Sequence, residues 1–185
     1  MFNRLRRTTV AAACALTLAA AGTAWAAESA AASSAAPAAA PACSSSSLSV
    51  WVDASQSDAG AGTFAFPLEF INISGKACTL FGYPGVSAIN GSGKQLGNAA
   101  SRDSLFAAKT VTIPAGGTAH ADLFYSNGEV TTAPGCKPVT ATLIKVYPPN
   151  QKAAKNGFFD LRVCSAANHP YLKTSVVRPG PRLDV

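Results

Sequence analysis

Apolar and polar residues alternate in twos along most of the chain from residue 43 onward, and Gly, Pro and Asn interrupt the alternation. Residues two apart lie on the same face of a strand. The alternating apolar positions of the first two predicted strands are Leu48, Val50 and Val52, followed by Phe64, Phe66, Leu68 and Phe70. Because no long stretch shows helical periodicity, the pattern predicts an all-β fold, an antiparallel immunoglobulin-like β-sandwich of about 8 strands.

Turn residues divide the later part of the domain. Asn90-Gly91 predicts a hairpin because both residues tolerate positive φ. Ala115–Gly117 is a second tight connection, between Thr110–Pro114 and Thr118–Tyr125. The last strands expected are Val139–Tyr147, Phe158–Cys164 and a closing strand over Lys173–Arg178.

The region before the predicted sandwich has two parts. Residues 1–26 have a basic start, an apolar stretch and Ala24-Trp25-Ala26, the small-x-small pattern of a signal peptidase site, so they predict a signal peptide. A retained membrane anchor is the alternative, but it needs about 20 apolar residues and this stretch is shorter. Residues 27–42, almost all Ala, Ser and Pro, predict a disordered linker, which leaves 43–185 as one domain.

The cysteines agree with export. Cys14 lies inside the predicted leader, and the domain keeps four: Cys43, Cys78, Cys136 and Cys164. In an exported domain an even set of four predicts two disulfides. Antiparallel pairing of the first two strands, and of the last clear pair, favours Cys43 with Cys78 and Cys136 with Cys164 among the three connectivities.

The formal net charge of +6 counts 15 basic residues against nine acidic ones. Loss of Arg4, Arg6 and Arg7 with the leader leaves 12 against nine, a net charge of +3. The remaining bases are scattered singly, without a run that would follow a phosphate backbone, so nucleic acid is not expected as a partner.

The segment Phe70–Val86, with its Asn-x-Ser-Gly, Cys and Gly-Tyr-Pro-Gly-Val motifs, resembles the secreted actinobacterial family called domain of unknown function 4232. Gly93–Gly97, Pro114–Ala121 and Ile144–Gln151 followed by Cys164 continue the similarity in the family's order. The resemblance implies a secreted or lipid-anchored β-sandwich and brings no established activity. The second Gly of Pro114-Ala115-Gly116-Gly117 departs from the family's usual Pro-Gly turn.

Catalytic and metal-binding patterns are missing from the sequence. His120 and His169 are the two histidines, and neither has a carboxylate or a second histidine at ligand spacing, so no metal is expected. The acids nearest strand edges are expected on solvent faces rather than as a glycosidase pair: Glu69, Asp122, Glu129 and Asp160. We therefore expect no enzyme activity, no catalytic residues and no cofactor.

Two features are candidates for partner contact. The stretch Tyr147–Gly157 is long for a link between paired strands, and a tolerated surface excursion is its alternative explanation. Its candidate contact residues are Tyr147, Pro148, Pro149, Lys152 and Lys155. Trp51 lies on the face opposite Val50 and Val52, so it is either covered by another element, which is the expectation, or exposed as a contact.

The sequence leaves three function classes open. The first is a secreted extracellular or cell-envelope binding or accessory module. The second is a secreted hydrolase (protease) inhibitor presenting the Tyr147–Gly157 loop. The third is an enzyme whose site is too dispersed to recognise. We predict the first, as a monomer that binds an extracellular protein or a cell-wall polymer and has no membrane span after cleavage.

Overall fold

The computed structural model describes residues 38–166 and 168–182. The predicted signal peptide, residues 27–37 of the predicted linker and Cys14 lie outside this described part. The elements of the described part are a 3-10 turn (Ser45–Ser47), β1 (Leu48–Val52), β2 (Asp58–Gly60), β3 (Thr63–Asn72), β4 (Cys78–Phe81), β5 (Gly85–Ile89), β6 (Ser101–Arg102), β7 (Thr110–Ile113), β8 (Thr118–Ser126), α1 (Asn127–Thr131), β9 (Pro138–Tyr147), β10 (Lys155–Cys164), β11 (Leu172–Thr174) and β12 (Arg178–Pro179).

The strands form three sheets. The largest has seven strands in the order β1-β3-β8-β11-β6, with β2 also paired to β3 and β12 to β8. Its centre is the long antiparallel pair β3–β8, which runs from Thr63 opposite Ser126 to Ile71 opposite Thr118. A second sheet has the order β10-β9-β5, and β4 and β7 form a separate pair. The all-β prediction is confirmed.

The core lies between the inner faces of these sheets. Leu68 and Phe70 of β3 are fully buried, as their alternation predicts, and they belong to the same core cluster as Ile144 of β9 and Ile113 of β7. Phe64 and Phe66 are half-buried at the border of the core. The Phe66 ring meets Phe159 edge-on at 4.9 Å between centroids, a geometry that aromatic pairs favour.

Three predicted connections differ from the structure. Ala115–Gly117 forms the predicted tight connection, with the Gly117 N–H donating to Pro114 O at 2.9 Å, but the two strands that it joins, β7 and β8, belong to different sheets. The turn after Asn90 leads to a single bridge between Ile89 and Gln95 rather than to a second strand. The closing strand over Lys173–Arg178 is split into β11 and β12, since Ser175 turns its hydroxyl toward the backbone N–H of Asp122 and interrupts the ladder.

Both predicted disulfides are present. Cys43 pairs with Cys78 across 35 residues, and Cys136 pairs with Cys164 across 28 residues. Antiparallel pairing brings each pair of cysteines together, because β1 pairs with β3 and β9 pairs with β10, as the sequence predicts. The end of the predicted linker also joins the domain, since the Thr79 N–H donates to Pro41 O at 2.8 Å.

Asn72 links the large sheet to the β4–β7 pair. Its side-chain Nδ2 lies 2.8 Å from Lys76 O, 3.0 Å from Ile113 O and 3.1 Å from Pro114 O. Its Oδ1 accepts from the N–H and the hydroxyl of Ser74. The residue has no exposed surface, so each of these bonds replaces one that water would otherwise make.

We predict that Asn72→Asp destabilises the domain by about 3 to 5 kcal/mol, because a carboxylate would face three carbonyl oxygens with no hydrogen to donate. Urea denaturation followed by circular dichroism measures the change. The matched control is Asn90→Asp, since Asn90 uses only its Oδ1, which accepts from Ser92 and Lys94. The control should change stability by less than about 0.5 kcal/mol. Equal losses in both variants would contradict this role of the Asn72 amide.

Candidate functional site

The predicted contact loop is shorter than the sequence suggests. β10 begins at Lys155, because Lys155–Gly157 continue the ladder opposite Ile144–Val146, so the connection spans residues 148–154. Pro148 and Pro149 are buried, which removes them from the surface as contact residues. Lys155 is half-buried within β10, whereas Lys152 is exposed. Of the five candidates in this stretch, Tyr147 and Lys152 are the two that are exposed.

The loop lies against the Phe81–Gly85 turn. Asn150 Nδ2 donates to Phe81 O at 3.1 Å, and Gly85 is paired with Tyr147 in the ladder between β5 and β9. Phe81 is 51% exposed and Tyr147 is 38% exposed. Two large rings are therefore held at the surface by rigid backbone on both sides.

A groove of about 440 Å³ lies beside this turn, between β7 and the segment 176–179. Val177 N–H donates to Gly82 O at 2.9 Å, which connects the groove wall to the turn. Phe106 and Lys109 line the groove, and the Arg178 guanidinium lies 5.1 Å from the centre of the Phe106 ring. This distance is within the range of a cation–π contact.

We call this surface the aromatic end. It comprises the side chains of Phe81, Tyr83, Phe106 and Tyr147 together with Arg102, Lys109, Lys152 and Arg178. Exposed rings and bases of this kind bind flat or anionic groups without covalent chemistry. Sequence reasoning missed Phe106 and Arg102, because only the folded chain brings residues 102–109 beside the turn.

Trp51 lies elsewhere, and within residues 38–166 and 168–182 no element covers it completely. It is 44% exposed on β1 and lines a second cavity, of about 220 Å³, on the outer face of the large sheet. The exposed alternative is therefore the one the structure shows. Trp51 stands opposite Glu69 in the ladder between β1 and β3.

Glu69 and Asp122 are not on a solvent face, which corrects the prediction made for them. Each is only 5% exposed, because the chain from Arg178 to Arg182 crosses the outer face of the sheet. Arg178 forms an ion pair with Asp122, and Arg182 Nε lies 3.4 Å from Asp122 Oδ1. Burial raises the pKa of Glu69 above its ordinary value.

His120 lies between these acids and the same segment. Its Nδ1 lies 2.8 Å from Gly180 O, and since a carbonyl only accepts, Nδ1 carries the proton in the neutral ring. Burial lowers the pKa of His120 from its ordinary value of 6.5, the bond to Gly180 opposes this, and the positive charge of Arg178 adds to the lowering. The neutral ring is thus the form that fits the folded domain.

Within 38–166 and 168–182 there is no group of three or more His, Cys, Asp or Glu side chains that could hold a metal ion. In the same part of the chain, no helix is long and apolar enough to cross a membrane.

Comparison with known proteins identifies a family. A family model described as domain of unknown function (DUF4232) matches residues 43–177. The match begins at the first disulfide cysteine and ends at Val177, so it includes Asn72 and the Phe81–Gly85 turn. No curated protein and no solved structure matches the chain.

We predict that acidification destabilises the domain through His120. As the pH falls through about 6.5, the unfolded chain takes up a proton that the folded His120 resists, so the free energy of unfolding falls. His120→Asn removes this effect while keeping a donor for Gly180 O. Urea titrations of both proteins at pH 7.5 and 5.5 should show that the native protein loses more stability on acidification than the variant. Equal losses of stability in the two proteins would contradict the prediction. The effect of the raised pKa of Glu69 is common to both proteins, because both contain that residue.

Proposed function

The chain belongs to the domain of unknown function 4232 family, and we propose that it is a noncatalytic binding module of the extracellular space or the cell envelope. The observation that carries this proposal is the aromatic end. There, large rings and positively charged side chains are exposed together on a sandwich with two disulfides. Exposed apolar groups clustered in this way are typical of contact surfaces.

Rigidity supports a binding role for this surface. Phe81 is the last residue of β4, and the next residue, Gly82, accepts a hydrogen bond from the Val177 N–H. Tyr147 is the last residue of β9 and is paired with Gly85 of β5 in the ladder between these strands. Because these backbones are already ordered, the protein would lose little conformational entropy when a ligand binds.

The charge of the aromatic end indicates an acidic partner. Arg102, Lys109 and Lys152 are exposed, and Arg178 is half-buried beside Phe106. Guanidinium and ammonium groups beside aromatic rings attract carboxylates or phosphates and offer flat apolar faces to the rest of the ligand. We propose an acidic cell-wall polymer or an acidic segment of an extracellular protein as the partner, bound without a cofactor.

The inhibitor hypothesis loses its main support. It depends on a long loop presented to a hydrolase, and the connection is reduced to residues 148–154 with both prolines buried.

We propose that export precedes binding, and intact mass tests it. The Ala24-Trp25-Ala26 pattern predicts that the secreted protein starts near Ala27. Mass spectrometry of protein recovered from the culture fluid and from the envelope should give this mass. A product that retains Arg4 to Arg7, or carries a lipid on Cys14, would contradict the proposed processing.

We predict that Phe81→Ala combined with Tyr147→Ala weakens binding to isolated cell-wall polymer by about 1 to 3 kcal/mol, because both rings lie at the centre of the proposed contact. Sedimentation with purified wall material and its acid-extracted polymers measures the bound fraction. Binding should also weaken as the salt concentration rises from 50 to 500 mM, because the electrostatic screening length becomes roughly threefold shorter.

Phe158→Ala is the matched control. Phe158 is 90% exposed, but it lies on β10 beside Val52 and Ala54, outside the aromatic end. The control should bind like the native protein, and thermal melting should show that all three proteins are folded at the temperature of the binding assay. Unchanged binding by the double variant would overturn the assignment of this surface.

A further inference from the structure

We propose that the cavity beside Trp51 binds an organic ammonium group, with Glu69 and Asp53 as its anionic partners and Trp51 as its aromatic wall. The site is separate from the aromatic end and does not depend on the function proposed for that surface. We call it the acidic cavity, lined by Trp51, Asp53, Glu69, Ile71 and Pro181 among others.

Sheet register brings the cavity's main groups together. Trp51 on β1 stands directly opposite Glu69 on β3, and side chains of directly opposed residues start about 4.5 to 5.5 Å apart on one face. Ile71 lies two residues after Glu69 and projects from the same face. Pro181, in the segment after β12, forms the opposite wall. The cavity of about 220 Å³ has room for a small alkylammonium head.

Glu69 has an unused acceptor at this cavity. Its Oε1 accepts from the backbone N–H of Arg182 at 3.1 Å. Its Oε2 is buried and has no hydrogen-bond partner among residues 38–166 and 168–182. A buried carboxylate oxygen without a partner is costly, so a positive charge in the adjoining cavity would stabilise the ionised form of Glu69.

The two nearby arginines do not neutralise this carboxylate through their side chains. Arg182 directs its guanidinium to Asp58, to Asp122 and to Ala65 O. Arg178 forms its ion pair with Asp122. The cavity lining contains two carboxylates, of Asp53 and Glu69, and one guanidinium, of Arg182, which pairs with Asp58 and Asp122 instead. His120, opposite Glu69 in the ladder, favours its neutral form.

Asp53 adds to the negative charge at the mouth of the cavity. Its Oδ1 accepts from the N–H and the hydroxyl of Ser55, at 3.0 and 2.6 Å, which are neutral donors. The proximity of Asp53 is also one cause of the raised pKa of Glu69. A positive ligand between the two carboxylates would relieve their repulsion.

The walls favour an organic cation over a metal ion. Ca²⁺ and Mg²⁺ prefer shells of about six to eight oxygen ligands, whereas this cavity offers Trp51, Ile71 and Pro181 beside two carboxylates. Aromatic rings and carboxylates together suit ammonium groups, whose charge interacts with the ring while their N–H groups donate to oxygen. The ammonium could belong to a small amine or to a lysine side chain of a protein, and the test separates these sources.

The test is a ligand titration of the full chain followed by NMR of the indole N–H groups. The chain has two tryptophans, and a spectrum of Trp51→Phe identifies the Trp51 signal. The probes are n-butylammonium, tetramethylammonium and Nα-acetyl-lysine methylamide, with sodium chloride at equal ionic strength. We expect a saturable shift of the Trp51 signal with at least one ammonium probe and none with sodium chloride.

Variants assign the shift to the acidic cavity. Glu69→Gln should weaken the binding of the best probe about tenfold, because it removes the charge and keeps the shape. Glu129→Gln is the matched control, since Glu129 is exposed on α1, and it should bind like the native protein. Asp53→Asn, at a half-buried position, should weaken binding in the same direction and provides a second variant that does not disturb a buried residue.

The outcomes decide the proposal. A shift of equal size with sodium chloride, or native affinity in both Glu69→Gln and Asp53→Asn, would overturn it. If Glu69→Gln fails to fold, Asp53→Asn alone decides. Tightest binding of the lysine derivative supports a protein partner, and tightest binding of tetramethylammonium supports a small quaternary amine. Phe81→Ala with Tyr147→Ala should leave every titration unchanged, so failure here is distinguishable from failure of the aromatic end.

Discussion

The buried amide of Asn72 is the interaction on which the arrangement of the sheets depends. It ends β3, and it binds the carbonyls of Lys76 before β4 and of Ile113 at the end of β7. The backbone of Asn72 also exchanges hydrogen bonds with Gly116 and Gly117, in the turn that leads from β7 to β8. Asn72 thus forms hydrogen bonds with backbone groups at the ends of strands in two sheets, where these groups would otherwise be buried without a partner. Because β4 and β7 carry Phe81 and Thr110, the same amide fixes one side of the aromatic end.

A second buried contact holds the other end of the sandwich. Tyr171 is the largest fully buried side chain, and its hydroxyl donates to Leu96 O at 2.5 Å. Gly97 makes this possible, since it has a φ of +62° and a Cβ there would lie 2.6 Å from the Tyr171 ring. Burial raises the pKa of Tyr171 beyond its ordinary range, so the hydroxyl remains a donor at any physiological pH. The Cys136–Cys164 bond adjoins the same region, because Cys164 O also lies against Gly97.

The segment from Arg178 to Arg182 gives the two surfaces opposite electrostatic character. Arg178 contacts Phe106 on one side and Asp122 on the other, so it contributes to the aromatic end while neutralising a buried acid. Arg182 crosses the same face and uses its side chain on Asp58 and Asp122. Arg178 therefore lies at the groove, whereas Glu69 and Asp53 line the cavity beside Trp51 without a side-chain ion pair among the described residues. The path of this short segment thus contributes to both of the binding surfaces that we propose.

Local sequence pattern determined the features that depend on neighbours in the chain. Alternation at Leu68 and Phe70 placed both in the core, and the position of four cysteines around two strand pairs determined the disulfides. These features follow from the two-residue period of a strand and from antiparallel pairing, which are visible in sequence. The family, too, is carried by local motifs around Asn72 and Cys78.

Tertiary structure alone decided what covers each strand face and which loops meet. Glu69 has the alternation of a solvent-facing residue, yet a segment more than a hundred positions later buries it. The sequence predicts Lys155 in a loop, but this residue begins β10, because it pairs with Val146 of β9. The loop after Tyr147 meets the turn after Phe81 through the hydrogen bond from Asn150 to Phe81 O. Pro181 and Arg182 reach the cavity beside Trp51, and 44% of Trp51 stays exposed. Burial and long-range contact are set by packing between distant elements, which the local period of a sequence does not encode.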